Sequence, residues 1–593
     1  MAAKRERARR SAQLEVSFGA PETRPKPAQE DPSPRNEETD KPEKARQGRT
    51  AAELATRQRD ISVSEFFAKN RHLLGFDNPS KALLTTVREA VDNALDACEE
   101  AGILPDIRVE VFDEEDGEFR VAVEDNGPGI VENQITRIFG KLLYGSRFHK
   151  LSQSRGQQGM GIAAAGMYAQ LTTGKPLHII SRVRGEKLAT EMFVSIDTAK
   201  NRPELHKKAH LKWDRKTHGT RVEADLEGHY QKGPHSIDMY LKQTAIANPH
   251  VRIDFTDPHG EHVRYDRSSR ELPPRPREIK PHPRGVELGR LIQMLGSTNS
   301  RTLLQFLESE FSRVGRKTAQ EIVHVAALRL SERSHPRHIA HAQASALYRA
   351  IQKVPVSGPR TDCLAPIGEA LMENGLRKEI DADYFVAVTR PPAVYRGNPF
   401  QVEVAIAYGS PGGVGLEVDA GGHIHKTGTR KQAGGEEILL RADEPAYLLR
   451  FANRVPLLYE QGACAVTRAV SQTNWRGYGL QQPKRGLPVA PLAIVVHLAS
   501  VWVPFTSEAK EAIAPYPEIV KELKLGLQAC GRKLSEYLHR TQRLKREYDK
   551  RSHIEQYLPH VGIALQEILD LSDTERDATV ARLDDVLNKN RKV

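Results

Sequence analysis

The sequence predicts an α+β protein with several domains, on three grounds. First, its 593 residues are too many for one hydrophobic core, so roughly three or four domains are expected. Second, a long helical pattern is followed by alternating, strand-like segments and a glycine-rich loop, which is typical of an α/β sandwich rather than a doubly wound sheet. Third, a mostly helical segment then precedes a second strand-rich region and a long, charged helical pattern.

Shifts in composition divide the chain into five parts. Residues 1–60 are predicted to be disordered, because their basic start and Pro-, Glu- and Lys-rich continuation hold few large apolar residues. The other parts are an α/β domain over 61–275, a helical domain over 284–354, a strand-rich domain over 355–530 and a helical region over 531–593. The basic start fits a DNA-holding arm and a solubilising tail equally, so the sequence leaves both open.

Periodicity and stop signals predict the individual elements. ISVSEFFAKNRHLL predicts a short helix, and PSKALLTTVREAVDNALDACEEAG predicts a longer one that stops at Gly102. IRVEVFD and FRVAVED alternate apolar and polar residues, as half-buried strands do. Further helices are predicted over LGRLIQML, RTLLQFLESEF and KTAQEIVHVAALRL, further strands over YFVAVTRPP, FQVEVAIAYG and AIVVHLASVWVP, and a long helical region from Pro517.

Composition excludes several classes of protein. No apolar run approaches the roughly 18 residues that a membrane helix needs, and the N-terminus has no apolar core of a secretory signal. The 4 cysteines are scattered without C-x-x-C spacing, which argues against a zinc site or a disulfide framework and suits a reducing cytoplasm. The net charge of +11 favours a polyanionic partner such as nucleic acid, although charge alone does not identify one.

Glu89, Asp92, Asn93 and Asp96 are polar residues of the long predicted helix. Glu89, Asn93 and Asp96 follow at i, i+4 and i+7 and therefore share one helix face. A carboxylate and a carboxamide one turn apart are what an ATPase requires, since one can bind Mg²⁺ and the other can orient water. A solvated acidic face explains the same residues, and this segment alone favours that simpler explanation.

Two glycine-rich segments follow. Asp125-Asn126-Gly127-Pro128-Gly129 stands where a predicted strand ends, so that Asp125 can accept a hydrogen bond from an exocyclic amine; an ordinary turn is the alternative. The segment RGQQGMGI, residues 155–162, brings backbone N–H groups to a helix N-terminus, which forms an anion site. It is not a Rossmann fingerprint, because no βαβ strand precedes it, and it lacks the Gly-Lys-Ser/Thr ending of a P-loop.

The order and spacing of these segments carry more information than any one of them. Together with His218-Gly219-Thr220, they resemble the N, G1, G2 and G3 boxes of the Bergerat-fold ATPases, which include gyrase, MutL, heat-shock chaperones and histidine kinases. Within that superfamily, the sequence most resembles the B subunits of the type IIB DNA topoisomerases, the topoisomerase VI family. The similar segments are SVSEFFAKNRHLLGFDNPSKALLT, AVDNALDACEEAGILPDI, EDNGPGI, SRGQQGMGI, YRGNPFQVEVAIAYG, LLRFANRVPLLYEQGACAVT and VPFTSEAKEAIA.

This resemblance, which runs from Ile61 to about Arg546, implies roles for individual residues. Glu89 would be the general base that positions the attacking water, and Asn93 would ligate an Mg²⁺ that bridges the phosphates of ATP. Asp125 would bind the adenine amino group, with Thr220 supporting it through water. The implied nucleotide-binding set is Asn93, Asp125, Gly129, Ser146, Arg147, Arg155, Gly156, Gln157, Gln158, Gly159, Met160, Gly161, Ile162, Thr220 and Lys510.

Lys510, in SEAKEAIA, resembles the transducer lysine that reaches the γ-phosphate, a contact that exists before hydrolysis and is lost after it. Without the resemblance it would be taken for a surface lysine. The same resemblance implies a Bergerat-type α/β sandwich, a helix-two-turns-helix domain over 284–354 and a transducer that leads into the C-terminal helix. Basic residues of the helical domain are candidates for DNA phosphate contacts, although a solvated face explains them equally well: Arg284, Arg290, Arg301, Arg313, Arg316 and Lys317.

The implied mechanism is a clamp that closes on ATP. Two copies would bind ATP, dimerise and enclose a segment of double-stranded DNA. The transducer would pass the movement to the topoisomerase VI A subunit, which carries the DNA-cleaving tyrosine, in an A2B2 heterotetramer. The chain is therefore expected to hydrolyse ATP without cleaving DNA, and to be cytoplasmic and associated with the nucleoid.

Two alternatives remain, another Bergerat-fold ATPase and a protein of a different class. A MutL-like repair protein or a heat-shock chaperone would share the ATPase motifs, but the similar segments from Tyr395 onward argue against both. A scaffold that keeps the fold without catalysis would have lost some motif residues. Glu89, Asn93, Asp125, the loop glycines and Lys510 are all present, which argues against such a scaffold.

Overall fold

The first domain begins with two short helices and a long one. In the computed structural model, α1 (Val63–Lys69) is capped by the Ser62 side chain, and α2 (Arg71–Leu74) follows after Asn70, so the single helix predicted over this stretch is interrupted. The long helix α3 (Pro79–Ala101) starts at Asn78, whose side chain accepts the Lys81 N–H, and stops at Gly102 as predicted. Caps at both ends therefore fix the helix that carries the first motif.

Eight strands form one sheet in the order β5-β4-β3-β6-β2-β1-β7-β8, and the neighbouring strands are antiparallel except for β1 and β7. The strands are β1 (Asp106–Asp113), β2 (Glu118–Glu124), β3 (Leu177–Arg182), β4 (Ala189–Asp197), β5 (Arg202–Leu211), β6 (Gly219–Glu227), β7 (Arg252–Thr256) and β8 (His262–Tyr265). The helices are α3, α4 (Glu132–Phe139), α5 (Gly161–Thr173) and α6 (Ile237–Ala247). One hydrophobic core joins sheet and helices, which confirms the predicted α/β sandwich.

The next segment is helical, as predicted. Its helices are α7 (Leu288–Ser297), α8 (Leu303–Glu310), α9 (Arg316–Ala326) and α10 (His341–Lys353). They enclose a core of their own around Leu291, Phe306, Ile322 and Leu347. This small core allows the segment to fold beside the sandwich without sharing the apolar residues of the sheet.

A second sheet follows, in the order β10-β11-β16-β14-β15, and β9 pairs with β11 further along the edge that faces away from β16. Its strands are β9 (Tyr384–Thr389), β10 (Ala393–Tyr395), β11 (Asn398–Tyr408), β14 (Tyr447–Ala452), β15 (Val455–Pro456) and β16 (Leu492–Ser500), and β12 (Leu416–Val418) and β13 (Ile424–Lys426) pair separately. The strands predicted over β9, β11 and β16 are confirmed, whereas β14 and the helices α11 (Glu369–Glu379) and α12 (Ala465–Gln472) have no predicted counterpart. Apolar clusters cover both faces of this sheet.

The chain continues in a helix of 53 residues, α13 (Pro517–Leu569), against which α14 (Asp573–Asn590) packs. The division predicted at 530 falls inside α13, so one continuous helix, which contains Pro559, connects the second sheet to the C-terminal region. Within the described residues no helix is long and apolar enough to span a membrane.

The structure describes residues 62–145, 150–156, 159–198, 200–214, 217–409, 416–418, 424–426, 438, 440–507 and 509–590. The predicted extension over 1–60 and the predicted site residues Ser146, Arg147, Gln157 and Gln158 lie outside them.

Candidate active site

A cavity of about 550 Å³ opens between the sheet and the helices of the first domain. Helices α3, α4 and α5 and strands β2 and β6 line it, and most of its wall is apolar. Its apolar lining includes Leu74, Phe76, Ala90, Ile130, Ile138, Phe139, Met160 and Val222. A largely apolar cleft of this size with a few polar groups is typical of a site for one small organic ligand.

The structure brings most of the predicted site residues to this cavity. Those that line it are Glu89, Asn93, Asp125, Gly129, Gly156, Gly159, Met160, Gly161, Ile162, Thr220 and Lys510. Lys510 joins the set although it follows β16 of the second sheet, far away in the sequence. Of the predicted residues that are described, Arg155 alone does not line the cavity.

Glu89 lies on α3 between two cationic side chains. Its Oε1 is 3.3 Å from Arg88 Nη2 and 3.6 Å from Lys510 Nζ. Burial acts to raise the pKa of Glu89, but the charges of Lys510 and Arg88 outweigh it and hold the pKa below its ordinary value. Glu89 is therefore a carboxylate at neutral pH, as a group that accepts a proton from water must be.

Asn93 lies one turn further along α3 and is exposed, whereas every other residue from 81 to 96 is buried. It is exposed because it opens onto the cavity. Asp96, which the helical spacing places on the same face, instead accepts a hydrogen bond from Arg155 behind the cavity. Of the predicted polar face, Glu89 and Asn93 therefore line the cavity, whereas Asp96 lies in the cluster around Arg155.

Asp125 follows β2 and has a fixed orientation. Its Oδ1 accepts the backbone N–H of Gly127 at 2.7 Å and that of Thr220 at 3.2 Å. The Thr220 hydroxyl lies 3.1 Å from the hydroxyl of Ser181 on the neighbouring strand. Asp125 and Thr220 therefore form one hydrogen-bonded unit at the cavity wall, well suited to bind an amino group.

Two glycines of the cavity wall allow close approaches that a side chain would block. A Cβ on Gly129, whose φ is +76°, would lie 2.2 Å from the carbonyl oxygen of Arg182. A Cβ on Gly161 would lie 1.8 Å from Oε2 of Glu89. Because Gly161 is the first residue of α5, the N-terminus of this helix directly faces Glu89 and forms an anion site beside the carboxylate.

Arg155 lies behind the cavity in an acidic cluster. Its guanidinium donates to Asp96 at 2.8 Å and to both oxygens of Glu99, at 2.7 and 3.0 Å, and it also donates to Asn248. Despite burial, the charge of Arg155 and a hydrogen bond from His250 hold the pKa of Glu99 well below its usual range. The side chain of Arg155 therefore anchors the start of the glycine-rich loop.

The loop that carries Lys510 is held by contacts that the sequence did not reveal. Glu511 pairs with Lys81 of α3 at 2.6 Å, and the Lys81 ammonium lies 5.2 Å from the centre of the Tyr459 ring. Lys510 has a left-handed φ of 56°, and its Nζ donates to the Arg155 carbonyl at 3.4 Å. These partners lie far apart in sequence, so no local pattern could have identified them.

Asp92 and Tyr144 are further residues to which sequence reasoning gave no role. Asp92 is buried beside Glu89 and accepts a hydrogen bond from the Tyr240 hydroxyl at 3.1 Å. Burial raises the pKa of Asp92 to about 7 against the opposing charge of Lys510. Tyr144 lines the cavity, and its hydroxyl donates to Gln134 of α4 at 2.6 Å.

The basic residues that were candidates for DNA contacts are all exposed: Arg284, Arg290, Arg301, Arg313, Arg316 and Lys317. Among the described residues, no group of three or more His, Cys, Asp or Glu side chains is placed to hold a metal ion. A cation in the cavity would therefore need oxygen atoms from a ligand in addition to those of the protein.

Two family models match the chain. One, for ATPases similar to histidine kinases, DNA gyrase B and HSP90, matches residues 78–224, and one for the transducer of the topoisomerase VI B subunit matches residues 359–550. Curated B subunits of type 2 DNA topoisomerase 6 are similar over most of their length. The Archaeoglobus fulgidus protein is 44% identical over 91% of this chain and 84% of its own, and that of Methanococcoides burtonii is 46% identical over 90% and 81%. The chain therefore belongs to the family of topoisomerase VI B subunits.

Proposed function

We propose that this chain, the ATPase B subunit of a topoisomerase VI, dimerises when it binds ATP and closes a clamp around a segment of double-stranded DNA. The closed clamp then drives that segment through a double-strand break that the A subunit makes. The observation that carries the proposal is the composition of the cavity. Glu89, Asn93 and Asp125 of the first domain meet there with Lys510, which belongs to the region after the second sheet.

The cavity fits ATP at both of its ends. Its apolar wall accepts an adenine ring, and Asp125 accepts a hydrogen bond from the adenine amino group with support from Thr220. At the other end, Gly159 and Gly161 lie at the start of α5, where backbone N–H groups favour phosphates. Gln157 and Gln158 belong to the same proposed loop, and Ser146 and Arg147 to the segment before it.

The chemistry at the phosphate end requires one base and one cation. Glu89 is the proposed base: it accepts a proton from the attacking water, and its low pKa keeps it ionised. The carboxamide of Asn93 is a hard oxygen ligand and fits Mg²⁺, which when bound neutralises negative charge on the phosphates. A cation that is shared between Asn93 and the phosphates agrees with the absence of a carboxylate cage among the described residues.

Lys510 links this chemistry to movement. Its ammonium lies 3.6 Å from Glu89, so it is positioned to contact a γ-phosphate held in front of that residue. The contact is lost when the phosphate leaves, which releases the transducer. The 53-residue helix α13 begins seven positions after Lys510, at Pro517, and is the proposed lever towards the A subunit in an A2B2 assembly. The exposed arginines of α7 to α9 and the net charge of +11 support contact with DNA phosphates.

The test is ATP hydrolysis and ATP-dependent dimerisation of the full-length chain, with and without DNA and the A subunit. Wild type is expected to hydrolyse ATP faster when both partners are present. Glu89→Ala is expected to bind ATP and dimerise without hydrolysis. Glu114→Ala, on the hairpin between β1 and β2, is the matched control and should behave like wild type.

Two outcomes would contradict the proposal. If wild type neither binds ATP nor dimerises in any of these mixtures, the chain is a scaffold that retains the fold without the reaction. If Glu89→Ala supports DNA relaxation by the full complex as well as wild type does, hydrolysis at this cavity does not drive strand passage.

A further inference from the structure

Buried polar side chains continue from the rear of the ATP cavity into the second sheet. Asn248, His497 and Glu403 have no exposed surface, and Arg454 is 5% exposed. We refer to these four residues together with Arg155 as the polar junction. We call residues 154–162, which are proposed to bind the phosphates, the phosphate loop. The polar junction connects the start of this loop to strands β11 and β16, two central strands of the second sheet.

The polar junction is a continuous chain of hydrogen bonds. Arg155 donates to the side-chain oxygen of Asn248, and the Asn248 amide donates to the carbonyl of Arg454 at 3.3 Å. The backbone N–H of Arg454 donates to His497 Nε2 at 3.0 Å, and His497 Nδ1 lies 2.8 Å from Glu403. Each step crosses between segments that are distant in the sequence.

These bonds fix the state of His497. Since Nε2 accepts the Arg454 N–H, the ring proton lies on Nδ1 and is donated to Glu403, so the ring is neutral. Glu403 also accepts the backbone N–H groups of Ile367 and Gly368, each at 2.7 Å, and the Thr389 hydroxyl at 2.9 Å. The bonds around His497 and Glu403 make this part of the network rigid, because any displaced group would lose its partner without gaining water.

A second set of bonds runs beside the first. The Asn453 amide donates to the Ser154 carbonyl at 3.0 Å and to the Ser500 carbonyl at 2.9 Å, so one side chain joins the phosphate loop to the end of β16. Asn453 and Arg454 are the two central residues of the tight turn between the antiparallel strands β14 and β15, and their φ values of +48° and +68° are those that such a two-residue hairpin turn requires. The hydrogen bond from Asn453 holds this turn against Ser154.

We propose that Asn453 and Arg454 are positioning residues that couple the phosphate loop to the transducer, through the Ser154 carbonyl on one side and the polar junction on the other. The proposal rests on the proposed function, because it concerns how ATP binding is transmitted. Lys510 reports the γ-phosphate from the front of the cavity and also donates to the Arg155 carbonyl. Ser154 and Arg155, at the start of the loop that is proposed to bind the phosphates, are therefore tied to the second sheet from behind as well. When these two residues move, β14 and β16 must move with them or leave buried groups unsatisfied.

The test uses the complete complex, in which the A subunit is present, with supercoiled DNA. His497→Phe removes the ring nitrogen that accepts the Arg454 N–H and the ring N–H that Glu403 accepts, and so interrupts the polar junction between Arg454 and β11. Asn453→Gly permits the same backbone conformation and removes the two hydrogen bonds that the Asn453 amide donates, together with the one that its Oδ1 accepts from the Ser500 N–H at 2.8 Å. Arg450→Lys is the matched control. Arg450 is buried on β14, and its recorded hydrogen bonds go to carbonyls of its own region, those of Leu457 and Tyr459.

His497→Phe and Asn453→Gly are expected to keep kcat and KM for ATP within about twofold of wild type, while strand passages per ATP hydrolysed fall by about tenfold or more. Arg450→Lys is expected to keep the wild-type ratio, even where its melting temperature falls. If His497→Phe does not fold, Asn453→Gly provides the test by itself.

The proposal is overturned if the number of strand passages per ATP stays at the wild-type value in the folded variants. It is also overturned if Arg450→Lys lowers that number equally, or if kcat and strand passage fall in the same proportion in every variant. A wild-type complex that does not hydrolyse ATP contradicts the proposed function instead, so the two failures are distinguishable.

Discussion

Glu89 in the ATP cavity and Glu403 in the second sheet are both buried, at 8% and 0% exposure. Glu403 accepts two backbone N–H groups, one hydroxyl and one imidazole N–H, all between 2.7 and 2.9 Å. Glu89 instead faces two side-chain cations, at 3.3 and 3.6 Å, and one of them belongs to a loop from another part of the chain. Glu89 is therefore surrounded by charge, but its contacts are longer than those of Glu403.

The difference separates a structural carboxylate from a reactive one. The oxygens of Glu403 are occupied by donors fixed in the backbone, which leaves no lone pair for a substrate. Glu89 is ionised by nearby charge rather than by direct hydrogen bonds from the backbone, so its oxygens remain able to bind water. Exposure alone does not distinguish the two residues, whereas the identity of their partners does.

The largest effect is expected when Glu89, the carboxylate in the ATP cavity, is replaced by glutamine. Glu89→Gln removes the proposed base and should lower ATP turnover by about 10²–10⁴-fold. The melting temperature should also fall, because the buried cations Arg88 and Lys510 lose the carboxylate between them, so turnover is compared per folded molecule. Steady-state hydrolysis and thermal melting of the purified variant test this. A variant that melts far below wild type and turns over normally per folded molecule would make Glu89 the structural residue of the pair.

Glu403→Gln should show the opposite pattern. The new amide NH₂ group faces N–H donors where an oxygen accepted before, so the free energy of unfolding should fall by about 1–3 kcal/mol. ATP turnover per folded molecule should be retained. Glu444→Gln is the control, since Glu444 pairs with Arg441 on the surface and should contribute at most about 1 kcal/mol. Equal stability of the Glu403 and Glu444 variants would contradict the comparison.

Much of the ATP cavity could be predicted from the sequence because its parts are local. Helix α3 carries caps at Asn78 and Gly102, and regular spacing places Glu89 and Asn93 one turn apart. The Asp125 turn follows a strand with clear alternation. Arg155 could not be placed, because Asp96, Glu99 and Asn248 approach it only through the packing of distant segments.

The second sheet could be predicted only in part, for a different reason. In FQVEVAIAYG, Gln401 and Glu403 alternate with apolar residues, which predicts a solvated face, whereas helix α11 and the turn before it cover Glu403. Strand β14 is short and its last four residues are buried, so it shows no alternation to detect. A sheet that is covered on both sides hides its polar positions from any pattern of period two.

A smaller effect is expected at Asp125, which combines features of both glutamates: its Oδ1 is held by backbone N–H groups and its side chain lines the cavity. Asp125→Asn should weaken ATP binding by roughly 5- to 150-fold, because an amide NH₂ in place of an acceptor leaves a buried donor unsatisfied. Asp113→Asn, at the exposed end of β1, is the control. Nucleotide binding measured by calorimetry should separate the two variants. Unchanged affinity in Asp125→Asn would mean that Asp125 does not bind the base.

The smallest effect concerns His178, whose surroundings are intermediate between those of the two glutamates. Its ring lies 2.8 Å from Glu223 and 3.0 Å from Glu191 on neighbouring strands, and its side chain is 21% exposed. Burial acts to lower the pKa of His178, but the hydrogen bonds and charges of the two carboxylates outweigh it and raise the pKa. A folded-state pKa above the unfolded one stabilises the protein at low pH, and this contribution is lost as the pH rises through the folded-state value.

His178→Gln should therefore lower the melting temperature more at about pH 6 than at about pH 9. In the free energy of unfolding, the losses at the two pH values should differ by at most about 1 kcal/mol. His262→Gln is the matched control. His262 is mostly exposed, and its nearest carboxylate, that of Asp254, is 3.8 Å away. Its exchange should have the same small effect at both pH values. A larger loss at about pH 9 for His178→Gln would mean that the two glutamates stabilise the neutral ring, so that this cluster, like the one around Glu403, holds a neutral imidazole.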